Sequence, residues 1–209
     1  MSNAQRTPVV PLEAGAGPDN PPCPACGEPL FGWLSGRPGL AGPVSRCESC
    51  GLGVVGEPGG AEQALHELGR LGGDGTPRIA NRAGFAASLG SAGWAGLEPD
   101  AHYLFTVESV RRLVARRDQV VKSSRWAPAA SLAATWQTLL NSVTFGHNVA
   151  LATLGRGKAA KATHRWQRRI DGLASIVLAI PALAIAIPVE LAGGLTGRGA
   201  VISLRFELL

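Results

Sequence analysis

The chain of 209 residues has room for one domain, or one with a small appendage, and is long enough to bury a core. Its 28 glycines and 15 prolines concentrate before residue 100, where aromatic and β-branched residues are sparse, so that half is expected to be loop-rich. The formal charge of +5 does not by itself choose among nucleic acid, anionic lipid and a solvated surface as the reason for it. Its distribution says more. No acidic residue falls between Asp118 and Asp171, whereas Lys122, Arg125, Arg156, Lys158, Lys161, Arg165, Arg168 and Arg169 do.

Residues 1–21 read as a disordered, Pro/Gly-rich lead. No apolar segment follows a basic start, which predicts a cytoplasmic chain without a signal peptide.

Residues 22–56 hold all four cysteines, as two matched turns, "CPACG" at Cys23 and Cys26 and "CESCG" at Cys47 and Cys50. Two residues between cysteines in a tight turn aim both sulfurs at one ion about 2.3 Å away, and two such turns complete a tetrahedron. Gly27 and Gly51 suit turns whose N–H groups bend toward thiolates. The pattern predicts a zinc ribbon with a structural Zn2+, since four cysteines leave no open coordination position. Two disulfides or a redox pair are the alternative, disfavoured in a reducing compartment. Nucleic-acid binding by the ribbon is disfavoured too, because the loop between the turns carries only Arg37 and Arg46 as cations, beside Phe31 and Trp33.

Residues 57–76 read as a linker with a brief helix from Ala61 to Leu71, on which His66 is exposed. Residues 79–90 suggest a short helix ended by Gly90, and Trp94, Leu97, Tyr103 and Phe105 are expected to pack together. Thr106 is placed as an N-cap, with Glu108 at the helix start and Arg116 and Arg117 at its end. Val107, Val110, Leu113 and Val114 give that helix its apolar face, and a short strand comes after it near 119–124.

The stretch "GWAGLEPDAHYLFTVESVRRLV" resembles the region near the C-terminal end of class I S-adenosylmethionine (SAM) dependent methyltransferases that carry an N-terminal zinc ribbon. The resemblance rests on Trp94, Gly96, Leu97, Pro99, His102, Leu104, Phe105, Thr106, Ser109, Val110 and Leu113, then on "WQTLLNSVTFGHN" and "LAIAIPVELAGGLTGRGAVISL" in the same order. It implies that residues 77–209 are the remnant of such a fold. It also implies SAM as a cofactor, yet no apolar strand followed by a G-x-G turn lies between residues 51 and 94, and four strands with their helices do not fit there. The cofactor half of the fold is missing from this reading, no SAM-binding residue is assigned, and a pseudoenzyme is expected. His102 is the one weak candidate for acid–base work; capping a turn beside Pro99 and Asp100 is its favoured role. His147 and His164 have no acidic neighbour in sequence.

Residues 131–154 read as a helix with Leu132, Trp136, Leu139, Leu140, Val143 and Leu151 on its apolar face, with start signals at Pro128 and Ser131. After the basic stretch, residues 172–189 run for eighteen positions without a charge, within an apolar helix expected over 172–190. Eighteen residues are near the lower limit for crossing a hydrocarbon core of about 30 Å. The neighbouring arginines and lysines suit anionic headgroups, and Trp126, Trp136 and Trp166 suit the interface. Burial inside the protein is the alternative. The last residues alternate, with Ile202, Leu204, Phe206 and Leu208 on one face, which predicts a strand paired with the one near 119–124.

The expected fold class is α+β: a four-cysteine zinc ribbon, a Gly/Pro-rich connector, and a helical C-terminal part with two or three short strands. The expected role is a non-catalytic protein at the cytoplasmic membrane surface or on a protein partner, an intact methyltransferase relative among the options. An active divergent methyltransferase and a nucleic-acid-binding ribbon are the two alternatives.

Overall fold

The computed structural model describes residues 20–35, 42–72, 76–155 and 164–208. Residues 1–19 of the lead, and Arg37, Arg156, Lys158 and Lys161, lie outside the described residues. In chain order the elements are β1 (Leu30–Leu34), β2 (Val44–Cys47), β3 (Gly53–Val55), α1 (Ala61–Gly72), β4 (Arg78–Ala80), α2 (Phe85–Gly90), a 3-10 turn (Ser91–Gly93), β5 (Tyr103–Leu104), α3 (Val107–Ala115), β6 (Gln119–Trp126), α4 (Pro128–Asn141), α5 (Val149–Thr153), α6 (Arg165–Leu195) and β7 (Val201–Leu208). The class is α+β, and β4, β5, β6 and β7 all fall after residue 77, one more strand than the upper expectation.

Two antiparallel sheets organise the chain. The first has the order β1-β2-β3-β5, the second β4-β7-β6. The terminal strand pairs with β6 over Gln119 to Trp126, as the alternation predicts, and its other edge takes β4. Because β5 extends the ribbon's own sheet, the cysteine-bearing hairpins are continuous with the segment that leads into α3.

The intervening stretch is also built in. α1 begins where expected, but it buries Ala64, Leu65 and Leu68 in the same core as three of the cysteines and Leu204 of β7, so residues 61–72 are a packed layer rather than a tether. Residues 79–90, read as one helix, divide into β4 and α2. Trp94, Leu97, Tyr103 and Phe105 do not form one group. Tyr103 and Phe105 enter the core that holds the cysteines, whereas Leu104 joins Trp94 and Leu97 on the other side, because consecutive residues of extended chain point to opposite faces. Gly96 is required beside Trp94, since a Cβ there would lie 2.4 Å from the indole ring.

The long helix expected over 131–154 is two helices. α4 starts at Pro128, where a missing N–H costs nothing, and stops at Asn141; the chain turns through Asn148 at φ 56° before α5. A polar network makes the break. Asn141 Oδ1 accepts from the Asn148 N–H at 2.9 Å, and Gln137 Oε1 accepts from the Leu151 N–H at 2.7 Å. Ser131, Thr135, Gln137, Thr138 and Asn141 are all buried on α4, a polar face that hydrophobic periodicity does not register.

α6 lies outside α4 and is longer than the expected 172–190. Its inner stripe is made of Asp171, Ala182, Ala186, Glu190 and Gly193, at spacings of eleven, four, four and three that return to one face of the helix. The two carboxylates are the fastenings. Asp171 accepts from the N–H groups of Phe145 at 2.7 Å and Gly146 at 2.9 Å. Glu190 accepts from Trp126 Nε1 at 3.3 Å, from the Ala200 N–H at 3.2 Å and from the Thr135 hydroxyl. The Trp126 ring lies against Gly199 and Gly194, where a Cβ would come within 2.4 and 2.5 Å of it.

Replacing Glu190 with alanine leaves three donors, two of them buried, without their acceptor. We expect Glu190→Ala to lower unfolding stability by about 3 kcal/mol, read from circular dichroism during urea titration in mild detergent. A loss below about 1 kcal/mol would contradict this account of how α6 is held.

Candidate functional site

The four cysteines converge. Cys23 and Cys26 sit in the turn leading to β1, and Cys47 and Cys50 in the turn joining β2 to β3. All four sulfurs lie within 4.8 Å of one another, with Cys23 Sγ to Cys50 Sγ at 3.6 Å and Cys26 Sγ to Cys47 Sγ at 3.4 Å. A tetrahedron with arms of about 2.3 Å has edges of about 3.8 Å, so the cluster is close to the size of a four-thiolate metal site. The cysteines are free thiols, not disulfides.

Local sequence explains the convergence. Gly27 at φ 83° and Gly51 at φ 75° close the two turns, donating their N–H groups to the Cys23 and Cys47 carbonyls at 2.8 and 3.0 Å. The backbone also bonds to the Cys23 sulfur from Ala25 and Cys26, and to the Cys50 sulfur from Leu52. A hydrogen bond from Cys50, reinforced by those backbone groups, holds the Cys23 thiol down to about 5. The partnership with Cys23, then burial, pushes Cys50 up, and burial pushes Cys26 up. A divalent ion entering the cluster therefore displaces protons, and its binding weakens as pH falls.

The turn at Cys50 is tied to the rest of the fold by Thr106. Its hydroxyl donates to the Cys50 carbonyl at 2.6 Å and accepts from the Ser109 N–H at 3.0 Å, while Ser109 Oγ accepts from the Thr106 N–H at 2.9 Å. This is the expected N-cap of α3, completed as a capping box.

His102 does not approach the cysteines. It is half exposed, its Nδ1 is 3.5 Å from Glu67 Oε2, and the N–H groups of His102 and Tyr103 donate to Glu67 Oε1 at 3.2 and 3.1 Å. Its partner is thus Glu67 of α1, thirty-five positions away. His147 is buried and His164 exposed at the start of α6, where Gln167 Oε1 accepts its N–H at 3.2 Å.

A second feature is the outer face of α6. Only 11% of its most apolar eighteen-residue stretch is buried, although it is long and apolar enough to cross a membrane. Leu173, Val177, Ile180, Ile187, Leu191 and Leu195 form a row at helical spacing pointing away from the protein, with Ile180 80% and Leu195 88% exposed. Of the three tryptophans expected at an interface, Trp166 alone is turned outward, at 53% exposure. Trp126 and Trp136 spend their indole N–H groups inside, on Glu190 and on the Ala179 carbonyl at 2.9 Å.

No family model matches the chain, and no curated protein or solved structure matches it.

The cluster makes a sharp prediction. Cys47→Ser should lower bound metal from one ion per chain to well under half, by elemental analysis, and chelation of the natural chain should broaden and lower its thermal transition. Metal affinity should fall by at least about tenfold between pH 8 and pH 6 as protons reclaim Cys26 and Cys50. A pH-independent affinity contradicts the thiol assignments.

Proposed function

We propose that this chain is a zinc-ribbon protein that rests on the cytoplasmic face of a membrane through α6 and catalyses no reaction of its own. The observation that carries the reading is the outer face of α6. A helix apolar on nearly every side is stable where it meets either protein or hydrocarbon, and among the described residues its Asp171–Gly193 stripe, with Leu178 and Ala179 beside it, is packed while most of its large apolar side chains are exposed. Burying six of its large apolar side chains at even about 1 kcal/mol each amounts to roughly 6 kcal/mol, comparable with one buried acyl chain.

The same geometry favours lying in the interface over crossing it. Asp171 and Glu190 flank the charge-free stretch and both bind inward, so α4 runs beside α6 between the two fastenings. A spanning α6 would draw α4 and its buried polar network into the bilayer with it. Lying flat, the helix offers its outer row to the acyl boundary and Arg165 and Arg169 to headgroups.

Zinc is the proposed ion at the cysteines, since four thiolates in a closed tetrahedron suit a structural Zn2+ and leave no position for substrate. A remote relationship to zinc-ribbon methyltransferases remains part of the proposal. Its elements are the cysteine turns, the Trp94–Leu97 passage and the Thr106 cap, all of which have packing or capping roles here. Calorimetry with SAM tests the catalytic alternative, and micromolar binding would overturn the non-catalytic reading.

We expect the purified chain to float with phosphatidylcholine vesicles and to lose at least about tenfold in partitioning when Ile180→Asp and Leu191→Asp are combined. A chain that stays monomeric without detergent and ignores vesicles sinks the membrane proposal.

A further inference from the structure

Three arginines from separate parts of the chain face one cavity. Arg46 of β2, Arg82 after β4 and Arg198 before β7 line a space of about 460 Å³ together with Trp33, Ser88 and Ser91. Like charges do not gather in a folded protein without cause, and the neighbouring carboxylate, Glu48, is 3.5 Å from Arg46 on the exposed side. Arg82 is the innermost. Its guanidinium stacks 4.6 Å above the centroid of Trp33, and its Nε is buried with no hydrogen-bond partner among the described residues. Burial, and then the Arg46 charge, push its pKa down to about 10, which still leaves it a cation at neutral pH. Arg198 is steered by its Nε bond to the Ala83 carbonyl at 3.2 Å and by the Phe85 ring 4.6 Å from its Cζ. Ser91 is held at φ 46°, a conformation that a non-glycine residue rarely adopts.

A second cavity, of about 440 Å³, adjoins the first. It lies between α2 and the C-terminal half of α6 and is lined by Phe85, Ser88, Leu89, Pro188, Val189 and Ala192. Ser88 belongs to both spaces, and Phe85 of the second carries Arg198 of the first. Guanidinium groups with hydroxyls recognise phosphate oxygens. The adjoining groove has almost nothing to offer a sugar or a base, whose polar groups would lose their hydrogen bonds to water there. It suits hydrocarbon, and it continues the apolar surface of α6.

We propose that the two cavities together form a binding site for an anionic phospholipid, with the phosphate among Arg46, Arg82 and Arg198 and an acyl chain along the α2–α6 groove. The inference rests on the proposed membrane contact of α6 and names its lipid. It places the C-terminal end of α6 at headgroup depth, which the flat orientation of that helix permits.

The test separates the site from the membrane contact. Dihexanoyl-phosphatidic acid, used below its micelle concentration, should bind at least about tenfold more tightly than inorganic phosphate, since only the lipid fills the groove. Arg82→Gln combined with Arg198→Gln should weaken that binding by about tenfold or more while metal content, circular dichroism and flotation on pure phosphatidylcholine stay unchanged. Leu89→Asp, at an exposed position, should remove the advantage of the lipid over inorganic phosphate and spare phosphate binding, which guards against a fold defect in the arginine variant. Equal binding of the lipid and inorganic phosphate overturns the proposal. So does an unchanged preference for vesicles containing phosphatidic acid in the arginine double variant, because that preference would then belong to Arg165, Arg168 and Arg169. If the short lipid binds as expected while vesicles are ignored, the lipid site is supported and the resting of α6 on a bilayer is what fails.

Discussion

The convergence of four sulfurs is the constraint on which the rest of the N-terminal architecture depends. Cys23, Cys47 and Cys50 are buried in one core with Leu68 of α1, Leu113 of α3 and Leu204 of β7, so the metal turns are part of the main core and not an appendage. The Thr106 hydroxyl transmits that constraint: it caps α3 and holds the Cys50 carbonyl at once. An ion at the cluster would fix both turns and with them the registers of β2, β3 and β5. A metal bound at these cysteines would therefore couple to folding across both sheets.

α6 satisfies two requirements that usually exclude each other. Its inner stripe is small or acidic, letting α4 approach closely while the carboxylates at both ends accept backbone and side-chain donors. Its outer side is branched and apolar. Neither carboxylate faces outward, so an apparently charged interruption of an apolar helix leaves the exposed face intact. The prolines at 181 and 188 also sit on the exposed side. The arginine cavity at the far end completes a surface that is apolar along the helix and cationic where the helix stops.

Much of the local structure was legible before any fold was known. The cysteine spacing, the positive-φ glycines, the Thr106 cap and the alternation of Val201 to Leu208 are short-range signals, each set by a few neighbouring residues, and each appears as read. The readings that failed needed partners far away. The broken helix at 142–148 depends on hydrogen bonds between the Asn141 side chain and Asn148 and on Gln137 reaching Leu151. Sorting Tyr103 and Phe105 away from Trp94 depends on β5 lying between two cores.

The amino-acid sequence on its own settled which residues could hold a metal, where α3 begins, and that eighteen residues near the C-terminus run without a charge. It could do so because turn geometry, capping and hydropathy act within a few residues. Tertiary structure alone decided that Asp171 and Glu190 turn inward, that one side of α6 stays uncovered, and that Arg46, Arg82 and Arg198 share a cavity. Those outcomes join residues up to 152 positions apart, from Arg46 to Arg198. Pattern within a segment cannot report them, because burial of a charge is determined by what the other elements bring to it.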